Sequence, residues 1–292
     1  MPLSKSASQT TTNSPSVLKY WVLASRPKTW IASLSPVLIG TVLSGVHSWK
    51  LFFLALLFSL LIQIGTNYAN DYYDFLKGAD NSERKGPKRA VASGWISPSN
   101  MKKGWIATFG AAFCIALPIA LSFGSWTLIV ILSSIVFGIL YTGGPKPLGY
   151  MGLGEVLVFF YFGPIAVVGS YFVQMHTCPF HVVLLSFSPG LLSAAILIAN
   201  NLRDLQTDQA AEKKTLVVRF GKIFGAIEYC VCITLALLIP VFFGLYTPMI
   251  LAPPAIFLIR KAFCDEDSLL APTALLLLLF TLFFCAEIIL YQ

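Results

Sequence analysis

From residue 30 to the end, continuous apolar runs of helical length alternate with short polar segments. A helix needs about 20 mostly apolar residues to cross a bilayer. The runs at roughly 30–46, 51–75, 103–123, 125–142, 152–174, 181–201, 223–244, 246–260 and 269–290 meet or approach that length. The eighth is short and carries Pro253 and Pro254, so the pattern predicts about nine spans, with eight as the alternative. Membrane strands would show ~10-residue segments of alternating polarity. Continuous runs instead predict an all-α polytopic bundle, because a helix satisfies its own backbone in lipid. Residues 1–17 are rich in Ser and Thr and lack the apolar core of a signal peptide. They are expected to form a disordered cytoplasmic tail, with 18–292 as a single membrane domain.

Composition narrows this further. The chain is 57% hydrophobic and only 11% charged, against about a quarter charged in soluble domains. That excludes a soluble globular protein and a disordered one. A net charge of +7 would point to nucleic acid in a soluble protein, but here the basic residues are unevenly placed. Of the 20 lysines and arginines, all but Lys50 fall in the tail or in the loops after the even-numbered spans. The positive-inside rule puts those segments in the cytoplasm. A multi-pass protein of a bacterial inner membrane is expected, in contact with lipid and not with nucleic acid. The six cysteines lie mostly in apolar runs without metal spacing and are expected to be small buried hydrophobes. His47, His176 and His181 all fall on the far side, away from the basic loops, and Glu287, close to the end of the last run, is expected to snorkel to the interface.

The 13 acidic residues are few enough to place one by one. Asn67, Asn70, Asp71 and Asp74 recur at intervals of three and four residues at the end of the second span, hence on one helix face. Asn200, Asp204 and Asp208 do the same at the end of the sixth. Stacked carboxylates repel unless a cation lies between them, and oxygen-rich sites completed by phosphate suit Mg²⁺. Two such faces at one mouth, ringed by Lys and Arg, would hold a magnesium-bridged diphosphate. Solvated helix ends would explain scattered loop charges. They would not explain acids reaching into apolar runs, where each costs ~2.5–3.5 kcal/mol at mid-membrane. Asp80 fits either a ligand or, with Glu83 three residues on, a helix cap. The motifs close the second and sixth spans, so the expected architecture is two parallel four-helix halves plus a ninth helix.

These motifs resemble those of the UbiA superfamily of intramembrane aromatic prenyltransferases, whose signature is Asn-Asp-x-x-Asp-x-x-x-Asp and Asp-x-x-x-Asp. Asn70, Asp71 and Asp74 match the first; its last acid falls on Gly78, with Asp80 two residues on. Asp204 and Asp208 match the second. The run Asp74 to Asp80 is similar to the MenA branch, which prenylates 1,4-dihydroxy-2-naphthoate. So are the stretches Arg26–Thr29, Gly86–Arg89, Gly149–Glu155, Asn200–Asp204 and Thr215–Arg219.

The resemblance implies a helical bundle around a cavity open toward lipid, in which polyprenyl diphosphate and 1,4-dihydroxy-2-naphthoate meet near the cytoplasmic mouth. The product would be demethylmenaquinone, with the carboxylate lost as CO₂. Asn70, Asp74, Asp204 and Asp208 are then the expected Mg²⁺ and diphosphate set, supported by Asp71, Asn67 and Asn200. Lys77, Arg84, Arg89, Lys146, Lys213, Lys214 and Arg219 are the candidate diphosphate clamps, with Arg89, Lys146 and Lys214 preferred. Tyr and Phe rings of the second, fourth and fifth spans would face the allylic cation, Tyr141 is a candidate substrate-binding residue, and Arg26, Lys28 and Glu155 are candidates for the acceptor. Prenylation of 4-hydroxybenzoate or homogentisate stays open at this point. So does a secondary transporter, although transporters place their ionisable sites nearer the midplane.

Overall fold

The computed structural model describes residues 17–79 and 86–291. Asp80, Glu83 and Arg84 lie outside the described residues, as does the tail up to residue 16. Among the described residues no strand occurs. In chain order the principal helices are α1 (Val17–Ala24), α2 (Trp30–Leu43), α3 (Trp49–Leu76), α4 (Pro98–Phe123), α5 (Ser125–Leu140), α6 (Gly154–Met175), α7 (Phe180–Arg203), α8 (Leu205–Ala210), α9 (Leu216–Phe220), α10 (Lys222–Val241), α11 (Thr247–Cys264) and α12 (Leu270–Tyr291). Seven of them (α3, α4, α6, α7, α10, α11 and α12) are long and apolar enough to cross a membrane. The two remaining predicted spans coincide with the shorter α2 and α5, of 14 and 16 residues.

Local chemistry sets the helix ends. The Ser48 hydroxyl accepts from Leu51 N at 3.4 Å to start α3, and Ser97 followed by Pro98 starts α4. A single residue, Gly124 at φ 88°, reverses the chain between α4 and α5. That left-handed backbone is open to glycine at little cost. Pro164 has no N–H to donate, and the α6 ladder widens to a π turn over Tyr161–Ile165.

The helices pack as a ring: α3 lies along α4, α2 against both α6 and α12, and α7 against α6, α10 and α12. The largest core lies among α7, α10 and α12, where Leu192, Ile198, Tyr229, Phe280 and Phe284 are fully buried. A smaller cluster of Ala24, Tyr68, Ala90, Val91, Ile96 and Met101 packs the loop after α3 against α1 and α3. Large apolar side chains such as Phe53, Leu57, Phe242 and Leu290 point outward, as expected where the solvent is lipid.

Three expectations are corrected. Val17 belongs to a helix rather than to the tail. It opens α1, whose Tyr20 stacks on Trp95 with ring centroids 5.0 Å apart. Of the six cysteines only Cys232 is buried; Cys114, Cys178 and Cys264 are exposed, since an apolar run in lipid has an outer face as well as an inner one and Cys178 lies in the loop between α6 and α7. Glu287 does not snorkel to the interface. It is buried and accepts from the Tyr246 and Thr247 amides at 2.8 and 2.9 Å, satisfying two N–H groups of the turn that leads into α11.

Candidate active site

Two cavities meet inside the ring. One, of about 210 Å³, is polar and lies at the end of the bundle where α3 and α7 terminate; both acidic motifs line it. The other, of about 170 Å³, is apolar and runs back between α3, α5 and α6. Gln63, Thr66, Tyr141, Val158 and Phe162 wall both, so the polar chamber opens directly into the apolar one.

The last turns of α3 carry the first motif. Asp74 is 1% exposed and sits at the centre of a charged cluster. Its Oδ2 accepts from Arg89 Nη2 at 2.9 Å, its Oδ1 from the Tyr150 hydroxyl at 2.8 Å, and Lys213 Nζ lies 3.6 Å away. Asn70 Oδ1 accepts from the Thr142 hydroxyl at 2.8 Å. Asn67 donates to Ser25 O at 2.9 Å and to Thr29 Oγ1 at 3.2 Å, tying α3 to the segment that carries Arg26. Arg26 itself takes a left-handed backbone, φ 54°, and lines the polar cavity.

The second motif is not one continuous helix face. The helix α7 ends at Arg203, and Asp204 is the joint between it and the six-residue α8 that bears Asp208. Arg203 grips the joint in a fork, with Nε on Asp204 Oδ1 and Nη2 on Asp204 Oδ2, both at 2.8 Å, and Nη2 also 2.7 Å from Asn200 Oδ1. Planar two-point pairing of this kind is what a guanidinium offers and an ammonium does not. Asn200, Asp204 and Asp208 nevertheless all reach the polar cavity.

Lys213 joins the two motifs. Its ammonium is 3.6 Å from Asp74 and 3.7 Å from Asp208, and 4.9 Å from the centre of the Tyr150 ring. Lys77 approaches the same ring at 4.8 Å and donates to the Thr142 carbonyl. Partial burial pulls its ammonium below the usual lysine value; Asp74 opposes that fall and Lys213 adds to it.

The structure rearranges several expected roles. Asp71 does not line the polar cavity. Its two oxygens accept from the Ala90 and Val91 amides at 2.9 and 3.0 Å, which fixes the loop that presents Arg89. Lys146 is exposed and away from the cavity, as is Lys214. Lys214 contributes backbone only: its N–H donates to Tyr150 O at 3.0 Å, and its carbonyl accepts from Arg219 Nε at 3.0 Å. Arg219 therefore braces the loops and does not enter the cavity. Glu155 stands behind the wall and accepts from Asn201 Nδ2 at 2.7 Å, while Asn201 lines the cavity. Tyr150, Thr142, Gln63 and Asn201 are cavity residues that spacing alone did not single out.

A test separates the neighbouring lysines. Lys213→Ala is expected to lower kcat/KM at least tenfold, about 1.4 kcal/mol, for the prenyl diphosphate that the family resemblance implies, because it removes the charge shared by both motifs. Lys214→Ala should stay within about threefold, since its side chain is exposed. Equal losses in the purified variants would put the bridging role elsewhere.

The donor chemistry at this mouth fits magnesium. The side chains of Asn70, Asp74, Asn200, Asp204 and Asp208 offer oxygens to one cavity whose described lining contains no His and no Cys. All-oxygen sets of this kind suit hard divalent cations. Among the described residues no three acidic, His or Cys side chains stand close enough to form a ready metal cluster. Here Arg89, Arg203 and Lys213 neutralise the acids.

Comparisons with known proteins agree on one family. The model of the UbiA prenyltransferase family matches residues 33–267. The chain is 36% identical to the 1,4-dihydroxy-2-naphthoate octaprenyltransferase of Haemophilus influenzae, over 79% of this chain and 78% of that one. It is 38% identical to the enzyme of the same name from Mycobacterium tuberculosis, over 69% and 70%. Its fold matches a UbiA homolog from Archaeoglobus fulgidus bound to GPP and Mg²⁺, with a TM-score of 0.61 at 17% identity, covering 92% of this chain and 99% of that one.

Proposed function

The chain belongs to the UbiA prenyltransferase family, in its MenA branch, and is a polytopic membrane prenyltransferase; from that premise we propose that it transfers a polyprenyl group from polyprenyl diphosphate to 1,4-dihydroxy-2-naphthoate with loss of CO₂. The observation that carries this reading is the junction of the two cavities. A chamber lined by Asp74, Asp204, Asp208, Arg89 and Lys213 continues into one walled by Phe58, Ile62, Phe137 and Tyr161. A diphosphate with a long apolar tail has the same two-part chemistry. The identity of the acceptor rests on relatives bearing that name at 36% and 38% identity.

In this reading the diphosphate draws Arg89 and Lys213 toward its oxygens, and Asp74, Asp204 and Asp208, with Asn70, are left to hold Mg²⁺. A bound magnesium ion neutralises charge on the leaving diphosphate, as metal and cationic side chains do in other phosphate chemistry. The allylic C–O bond breaks, with its electron pair leaving on the diphosphate. Tyr141, at the junction, turns a ring toward the allylic cation, and the apolar walls behind it keep water from quenching the cation. The ring carbon bearing the acceptor's carboxylate bonds to the cation. The C–CO₂ bond then returns its pair to the ring, so the step needs no separate base. Arg26 and Asn201, both on the cavity wall, hold the acceptor's oxygens in this reading, and Glu155 fixes the amide of Asn201. The charge asymmetry along the sequence supports a cytoplasmic position for this mouth, and the bacterial relatives support a bacterial inner membrane as its setting.

Purified protein with Mg²⁺ and a long prenyl diphosphate tests the proposal when given 1,4-dihydroxy-2-naphthoate, 4-hydroxybenzoate and homogentisate in separate reactions. Product is expected with the naphthoate alone, accompanied by CO₂. Product from 4-hydroxybenzoate alone would move the protein to another branch of the family.

A further inference from the structure

The apolar cavity is long. It follows α3 from Thr66 back to Ala55 and α5 from Tyr141 back to Trp126, roughly 16 and 22 Å at 1.5 Å per residue. Several hydroxyls on its walls are turned into the helices: Ser59 donates to Ser33 O at 2.8 Å, Ser134 to Val130 O at 2.7 Å and Ser170 to Ala166 O at 2.7 Å. The chamber therefore presents an apolar surface well beyond the junction.

One residue on that wall lacks an ordinary reason to be glycine. Within the helices, Gly40, Gly138, Gly163 and Gly190 sit where an added Cβ would come within 3 Å of a neighbour: Ser170 Oγ at 2.2 Å, Thr66 Oγ1 at 2.7 Å, Ser186 O at 2.8 Å and Phe159 O at 2.6 Å respectively. Gly169 is different. It lines the apolar cavity, its backbone is not left-handed, and an added Cβ would meet nothing within 4 Å. A glycine inside a helix costs about 0.5–1 kcal/mol relative to alanine, and neither a turn nor a close helix contact offsets that here. What Gly169 preserves is open space. It lies seven residues past Phe162, which walls both cavities, hence roughly 10 Å deeper than the junction.

Resting on the prenyl-transfer reading above, we infer that a long prenyl tail runs through the apolar cavity past Gly169, and that the missing side chain there admits tails of many isoprene units. A dimethylallyl group ends short of that depth and an octaprenyl tail overruns it. Gly169 is thus a specificity-determining residue for tail length and stands clear of the reacting atoms.

The test compares wild type with Gly169→Leu and Gly169→Trp, each given dimethylallyl or octaprenyl diphosphate. Turnover and, without any acceptor, the rise in Tm on diphosphate binding are both read. The five-carbon donor should behave alike in all three proteins, within about twofold, which also reports that the variants fold. With the octaprenyl donor, kcat/KM should fall at least tenfold in Gly169→Trp and less in Gly169→Leu, with a matching loss of the Tm rise. Unchanged octaprenyl transfer in Gly169→Trp overturns the inference, because the tail then leaves for lipid before reaching this depth. Equal losses with both donors also overturn it, by making Gly169 a packing residue. A wild type stabilised by both diphosphates but inactive with the naphthoate rejects the acceptor assignment only, and the Tm comparison still decides the role of Gly169. A wild type stabilised by neither rejects both.

Discussion

Asp74→Asn and Asp204→Asn each reduce prenyl transfer by more than about a hundredfold, a barrier increase of about 2.7 kcal/mol, while the protein still inserts and folds. The substitution keeps side-chain volume and one carbonyl oxygen and removes the negative charge. At Asp74 that charge faces Arg89 at 2.9 Å and Lys213 at 3.6 Å. At Asp204 it faces the Arg203 fork. Breaking either buried pair strands its cation and costs some stability whatever the acid's role, so loss of turnover in protein that stays folded at the assay temperature is what assigns these acids to the reaction. Turnover and thermal unfolding measured on the same preparations separate the two roles. More than a tenth of wild-type activity in either variant would remove that residue from the metal and diphosphate set. Asp71→Asn gives the contrast. Its carboxylate holds the Ala90 and Val91 amides, so stability should suffer there, and activity should follow only as far as Arg89 is displaced.

Most of the helical pattern could be read in the sequence, because lipid forces each crossing segment to be apolar along its whole length. The two motifs were equally legible, since acids are scarce enough here for each to need a reason. What escaped was orientation over single residues. Lys213 and Lys214 are adjacent, yet only the first enters the cavity. Glu212 takes a left-handed backbone, φ 55°, and Lys213 N donates back to Asp208 O at 2.9 Å. The chain thereby reverses and aims Lys213 at both motifs. Asp71 and Asp74 share a helix face by spacing, but the loop at 89–91 claims the first and the cavity the second. A period of 3.6 residues identifies a face without saying what covers it. The stretches Gly149–Glu155 and Thr215–Arg219 carried family resemblance, with Glu155 and Arg219 their sole candidates for chemistry. In the structure they brace one another, with Lys214 N on Tyr150 O at 3.0 Å and Arg219 Nη2 on Met151 O at 2.8 Å, and that bracing delivers Tyr150 to Asp74. Glu287 escaped for a similar reason: its partners are backbone amides some 40 residues away.

Excess EDTA is expected to abolish transfer completely, and Mg²⁺ added back beyond the chelator to restore it. The cations already at the mouth make this a strong claim. Arg89, Arg203 and Lys213 bring three positive charges to Asp74, Asp204 and Asp208, so the protein's own groups are close to balanced before substrate arrives. A diphosphate brings further negative charge, and in a partly dehydrated chamber unbalanced charge is costly. The basic side chains can answer the incoming phosphates only by leaving the acids, which then need another cation. A divalent ion held by Asn70, Asp74, Asp204 and Asp208 would supply the positive charge that answers both deficits at once, whereas the lysines and arginines alone answer only one. Diphosphate binding and turnover should therefore fail together when the metal is removed, and raising the diphosphate concentration should not rescue either. Zn²⁺ should substitute poorly, because the described lining offers it oxygen without nitrogen or sulfur. Transfer that persists at full rate in EDTA, with the prenylated product identified, would show that Arg89, Arg203 and Lys213 suffice to ionise the allylic diphosphate. The two acidic motifs would then be scaffolds for those three cations and not a metal site.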